Sequence, residues 1–285
     1  MDSLSWFPFS IAATVIFGVA MALYKLPSTK NHDRFATTFW SLLVPALLSL
    51  LFFHSYLPLG TPAMMLTALL WGVTFTCIVL LQMYALKHVD TNALFPITTT
   101  ASLIVTILIG IFAFHEFISP LQVGGVLLAI TTIFLFVYKG GKLQYSSLVL
   151  SVGSGIILIS AFNKVLQKIV ADSFDIHVFQ IYQYLFAAIF ALIVYVFVHR
   201  RNWKQHIISG SFGVGSLIGV LSFFGGLSLY IALTKGPFSL VTSIHSLYTL
   251  VTALTAYFLF KEQLTAKKIF LLLLAIAAVV LIRIG

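Results

Sequence analysis

Charge is scarce in this sequence. Only 8% of its 285 residues are charged and seven are acidic, whereas about 25% of a soluble domain is charged. Hydrophobic residues make up 60%, and mean hydropathy is +1.09. Such a chain cannot cover itself with polar surface in water, so its solvent is largely lipid. Cysteine is almost missing. Cys77 stands alone in an apolar stretch, which excludes an internal disulfide or a multi-cysteine metal site and leaves a small core residue. Enzyme signatures are equally thin. "GSGIIL" and "GVGS" lack the following lysine and the strand–loop–helix setting of a phosphate loop. No carboxylate pair or His/Cys ligand spacing stands out, so no cofactor and no metal is expected. The opening "MDSLSWFPFS" has no basic residue, so it reads as a retained first span, not a cleaved signal.

What is present is a succession of ten apolar runs of about 20 residues, the length that crosses roughly 30 Å of hydrocarbon at 1.5 Å per residue. They cover approximately 6–24, 35–53, 63–86, 93–114, 120–138, 146–166, 178–198, 207–233, 238–260 and 265–282. Helices are expected, because barrel strands alternate strictly and "LLLLAIAAVVLI" does not. Thr61-Pro62, Ser119-Pro120, Asp90-Thr91 and Thr265 give helix-start chemistry. The formal charge of +9 would suggest nucleic acid in a soluble protein. Here the basic residues sit in short loops, so they report topology and no nucleic-acid partner is expected. Twelve of the sixteen Lys and Arg follow helices 1, 3, 5, 7 and 9. The positive-inside rule then puts those loops in the cytoplasm and both termini outside it, in a multi-pass protein of the cell membrane.

Two stretches repeat each other. Phe112 to Ser119 reads "FAFHEFIS" and Phe258 to Thr265 reads "FLFKEQLT", a shared F-x-F-[H/K]-E-x-[I/L]-[S/T] that pairs Glu116 with Glu262. Upstream, "YALKHVDTNALFPI" from Tyr84 parallels "IALTKGPFSLVTSI" from Ile231. Both echoes sit at the fourth-to-fifth helix boundary of a five-helix unit. The chain therefore divides into a first repeat, 1–140, and a second, 145–285. Five is odd, so the second copy enters the membrane inverted, the arrangement of secondary transporters with a site near the midplane between halves.

These stretches resemble the EamA-like branch of the drug/metabolite transporter superfamily, and the resemblance covers essentially the whole chain. It implies an all-α membrane protein of ten transmembrane helices in two inverted five-helix repeats, with a cavity lined by helices 1, 3, 4, 6, 8 and 9. It also implies movement of small metabolites such as amino acids, sugars and organic anions. One departure concerns orientation: the second-to-third loop, "HSYLPLGTPA", has none of the basic residues many relatives carry there.

None of the seven acids lies mid-span, so exchange, facilitated diffusion or His-based coupling is favoured over a carboxylate-driven proton pump. The candidate substrate-binding residues are Trp71, Thr99, Ser102, Asn163, Lys164, His245 and Tyr248. Trp71 lies away from the interfacial belts and could stack a ring. His245 could hydrogen-bond a ligand or carry a proton, or be satisfied by a neighbouring helix. Lys164 could attract a carboxylate or phosphate, or snorkel to the interface. Glu116 and Glu262 are gate candidates, against a simpler role at the positive end of the helix that follows each. Gln180 and Gln183 share a face suited to interhelical hydrogen bonds. Gly215 and Gly219 suit close helix packing, with a bend as the other reading. The expected function is a transporter of small polar metabolites working by alternating access. The alternatives are a membrane-embedded enzyme acting on lipid-linked groups, and a non-transporting receptor or scaffold. The partners are then a small-molecule metabolite and the lipid bilayer, with no obligate protein partner evident.

Overall fold

The computed structural model describes residues 5–30, 32–85, 91–137, 147–200, 211–261 and 265–285. Among the described residues all regular structure is helical: α1 (Phe7–Leu23), α2 (Arg34–Phe53), α3 (Pro62–Ala85), α4 (Thr91–Phe112), α5 (Pro120–Val137), α6 (Ser147–Ser173), α7 (Ile176–His199), α8 (Ser211–Lys235), α9a (Phe238–Ser246), α9b (Tyr248–Phe260) and α10 (Ala266–Ile284). A one-turn helix at Leu26–Thr29 precedes α2, and a 3₁₀ segment at His54–Leu59 follows it. Six stretches are long and apolar enough to cross a membrane: Arg34–Leu59, Pro62–Ala85, Val152–Ser173, Ile176–His199, Ser211–Lys235 and Phe238–Phe260. Four shorter apolar helices accompany them, so the ten expected runs appear as six full-length spans and four shorter helices among the described residues.

The ends of these helices account for the described acids. The Asp33 carboxylate accepts from Ala36 N at 2.7 Å and caps α2, while its second oxygen meets His199 Nε2 at the end of α7 at 2.9 Å. Asp175 caps α7 through the amides of His177 and Val178. Asp172 pairs with Lys168 at 2.8 Å, and Lys168 also donates to the Leu233 carbonyl near the end of α8. Ser119 and Gln122 cap α5 reciprocally, each side chain bonding the other's amide. Thr61 Oγ1 accepts from Met64 N at the start of α3. Asp90, the other start signal, lies outside the described residues.

The two halves interleave. α2 packs on α7 and α8, α3 on α6 and α7, α1 on α8 and α9b, α4 on α6 and α9a, and α5 on α10. Exchanging every helix with the one five places along turns α2–α8 into α3–α7, α1–α8 into α3–α6, and α1–α9 into α4–α6. It leaves α2–α7, α4–α9 and α5–α10 unchanged, which is the pattern of an internal two-fold. The lipid-like outer surface is dense with exposed Leu, Ile and Phe, as burial against hydrocarbon permits.

Small residues set the closest approaches. A Cβ on Gly215 would lie 2.6 Å from Trp40 Cβ and 2.8 Å from the Thr37 carbonyl. One on Gly219 would lie 2.9 Å from both Val44 Cβ and Pro45 Cδ. α8 itself runs unbroken from Ser211 to Lys235, so these glycines serve packing against α2 and not a bend. Gly213, two residues before Gly215, faces open space. Gly215→Val is expected to destabilise the purified protein by about 1–3 kcal/mol, the range for overpacking a close contact. Gly213→Val should leave the melting curve near wild type, and equal losses from both would refute the contact.

Candidate functional site

The helix at the centre is the most polar of the buried elements. All nine residues of α9a are buried, yet five of them are Ser239, Thr242, Ser243, His245 and Ser246. The hydroxyls of Thr242, Ser243 and Ser246 turn back on their own helix, to carbonyls three or four residues earlier at 2.6–3.2 Å, whereas Ser239 Oγ has no partner among the described residues. Such back-bonding bends helices. An outside hydroxyl joins in: Thr14 Oγ1 of α1 reaches the Ile244 carbonyl at 3.1 Å. The helix breaks there, because the Leu247 amide bonds Ile244 O in a tightened turn before α9b begins at Tyr248. The expected span over 238–260 is kept, with a one-residue turn at Leu247 and no proline or glycine there.

Around this turn some of the candidate residues meet in pairs. Tyr248 Oη and Thr99 Oγ1 of α4 are 3.1 Å apart. The His245 ring lies against Phe17 of α1 at 5.1 Å and Tyr248 at 5.4 Å, and within electrostatic reach of Lys164 on α6. Next to Lys164, Asn163 meets Thr74 Oγ1 of α3 at 2.6 Å, one turn from Trp71. Trp71 is stacked on Phe75 at 4.4 Å and meets the edge of Tyr184 at 5.8 Å.

Several of these residues hold polar atoms that are buried without a partner: Trp71 Nε1 (residue 3% exposed), Asn163 Nδ2 (5%), His245 Nδ1 (8%) and Ser102 Oγ (1%). Buried polar groups are nearly always bonded, so a cluster of orphans marks a place where something else bonds them. Lys164 is half-buried, with no hydrogen bond or ion pair to a described residue. α6 continues to Ser173 instead of ending near 166, so the lysine sits nine residues from the helix end, roughly 13 Å at 1.5 Å per residue. Trp71 also reads differently, because one ring face is taken by Phe75 and what it still offers is its N–H.

Glu116 does not serve the helix that follows it. Its carboxylate accepts the amides of Phe238 and of Ser239 (2.8 Å for the latter) and so caps α9a, from the opposite half of the chain. His115, with φ of 51°, turns the chain to deliver it, and Lys261 has the matching φ of 54° in the second half. Gly110 makes room, since a Cβ there would run into Ser239 Oγ. No basic side chain among the described residues pairs with Glu116, and Glu262 lies outside them. Sequence reading missed Thr14, Thr74, Phe17, Gly110 and the Asp33–His199 pair, none of which carries a local signal. The glutamines behave as expected: Gln180 Nε2 donates to the Phe223 carbonyl, and Gln183 Oε1 accepts from Tyr230. An apolar groove of about 150 Å³ between α4 and α5, lined by Ile104, Ile107, Leu108, Val123, Leu127 and others, offers no polar group and lies apart from this chemistry.

A family model described as the EamA-like transporter family matches the chain twice, over residues 4–138 and 148–284. A solved crystal structure of a protein shares the fold, with a TM-score of 0.70 at 12% identity over 95% of each chain. No curated protein matches. Glu116→Ala should cost about 0.5–2 kcal/mol, as for loss of a helix cap. It should also speed amide exchange at Phe238 and Ser239, whereas unchanged exchange there would remove the cap.

Proposed function

We infer that this chain, which belongs to the EamA-like transporter family within the drug/metabolite transporter superfamily, moves small polar organic metabolites across the membrane by alternating access. The substrates are of the amino acid, sugar or organic anion class. Ten spans in two inverted five-helix repeats form the carrier. The distribution of Lys and Arg supports termini on the non-cytoplasmic side. One observation carries the reading: a buried polar helix at the meeting of the halves, interrupted at Leu247 and holding two polar atoms, Ser239 Oγ and His245 Nδ1, with no partner. Discontinuous helices at a repeat interface are how such carriers expose polar backbone and side chains to a substrate.

Trp71, Thr99, Ser102, Asn163, Lys164, His245 and Tyr248 bind the substrate in this scheme. Glu116 supplies the closing contact at one end of the pathway, where the first half grips α9a. Glu262 is assigned the opposite end on its sequence pairing with Glu116 alone. A membrane-embedded enzyme acting on lipid-linked groups fits less well. Each of the four described carboxylates is committed to a helix terminus or an ion pair, which leaves none of them positioned as a catalytic acid.

Reconstitution in liposomes tests the reading. Counterflow of a labelled metabolite is the expected result. Chemical change of an added lipid, without counterflow of any solute, would replace the transporter with the enzyme. Within an active preparation, His245→Ala and Asn163→Ala should raise KM for the transported solute about tenfold or more, as expected when a buried hydrogen bond to ligand is lost.

A further inference from the structure

Charge balance at the seam narrows the substrate class. We propose that the recognised head of the substrate is an anion with no ammonium group beside it. This rests on the transporter reading above and goes further, because that reading leaves amino acids, sugars and organic anions equal.

Lys164 brings one positive charge and three donors into the middle of α6, and no described side chain neutralises it. All four described carboxylates are occupied at helix ends: Asp33 with α2 and His199, Asp172 with Lys168, Asp175 with α7, and Glu116 with α9a. Trp71 Nε1, donor only, is unpartnered on α3. Asn163 has one end of its amide tied to Thr74 and the other free. The other unpartnered candidates, Ser102 Oγ and His245 Nδ1, can serve as donor or acceptor. The site therefore carries a surplus of donors and one uncompensated positive charge.

The three candidate classes meet that surplus differently. A carboxylate neutralises Lys164 and accepts from the indole and the amide. A neutral sugar leaves the charge buried and unpaired, which a low-dielectric interior penalises. An amino acid brings its own ammonium next to Lys164, with no carboxylate among the described side chains to receive it. The anion is the one class that leaves the occupied site neutral.

The test uses the full-length protein and sets of near-isosteric probes: lactate, alanine and lactamide, then phenyllactate, phenylalanine and phenyllactamide. Thermal shift of purified protein and counterflow in liposomes are the readouts. The hydroxy acids should stabilise the protein and exchange, while the matching amino acids and amides should not. Lys164→Gln should weaken the response about 30-fold or more, the range for removing one partner of a buried charge pair. Lys164→Arg should restore part of it. Lys235→Gln, whose ammonium lies 5.0 Å over the Phe9 ring at the end of α8, should leave it unchanged.

Preference for the amino acid or the amide, or an anion response indifferent to Lys164→Gln in folded protein, overturns the inference and leaves the transporter standing. Silence from the hydroxy acids in both readouts also overturns it. Lipid chemistry without counterflow of any probe overturns the transporter reading itself.

Discussion

Inside a bilayer a polar group has no water to fall back on, and every hydrogen-bonding atom must find a partner within the protein. This constraint shapes each part of the molecule. The acids retreat to helix ends, where free amides need them: Asp33 on α2, Asp175 on α7, Glu116 on α9a. Buried threonines and serines bond their own helices, as Thr76 does to Gly72 and Thr106 to Leu103. The tyrosine hydroxyls of α7 and α8 find a carbonyl or an amide across the helix interface. Where the rule is obeyed, the structure is closed and packed.

The rule is broken at a dozen buried side-chain atoms among the described residues, spread over several helices. Trp71, Ser102, Asn163 and His245 come from α3, α4, α6 and α9a, and each keeps a polar atom unbonded in the interior. These four are residues that the sequence singles out as candidates for a site. Glu116 belongs to the same design from a different side. By gripping the start of α9a from the opposite repeat, it makes the position of His245 depend on how the two halves sit against each other.

The outline of the fold was legible because apolar run length is a strong signal, and Thr61-Pro62 and Ser119-Pro120 mark helix starts that the structure keeps. The echo around the two glutamates pointed to a repeat, and the family model matches each half separately. Other features had no local trace. The end of α6 was set short because Lys168 and Asp172 look like loop residues, although as an i, i+4 pair they belong on a helix. The break in α9 has neither proline nor glycine to announce it. It depends on Thr14, 230 residues from its acceptor. Glu116 was assigned to the nearest helix, whereas its partners lie more than 120 residues away. Of the candidate site residues, Tyr248 meets Thr99 and His245, while Phe75 covers one ring face of Trp71 and α6 runs on past Lys164 to Ser173.

A bend made by proline is permanent, because the ring removes a donor and props the backbone apart. The bend in α9 is made by hydroxyl rotors. Thr14 Oγ1 sits between two acceptors, the Ser10 carbonyl at 2.7 Å and the Ile244 carbonyl at 3.1 Å, and needs only a small rotation to favour one over the other. Side-chain rotations of this kind are fast compared with movements of whole helices. The turn at Leu247 can therefore be held or released by trading bonds of similar strength, with no peptide isomerisation and no amide permanently deprived of its mate.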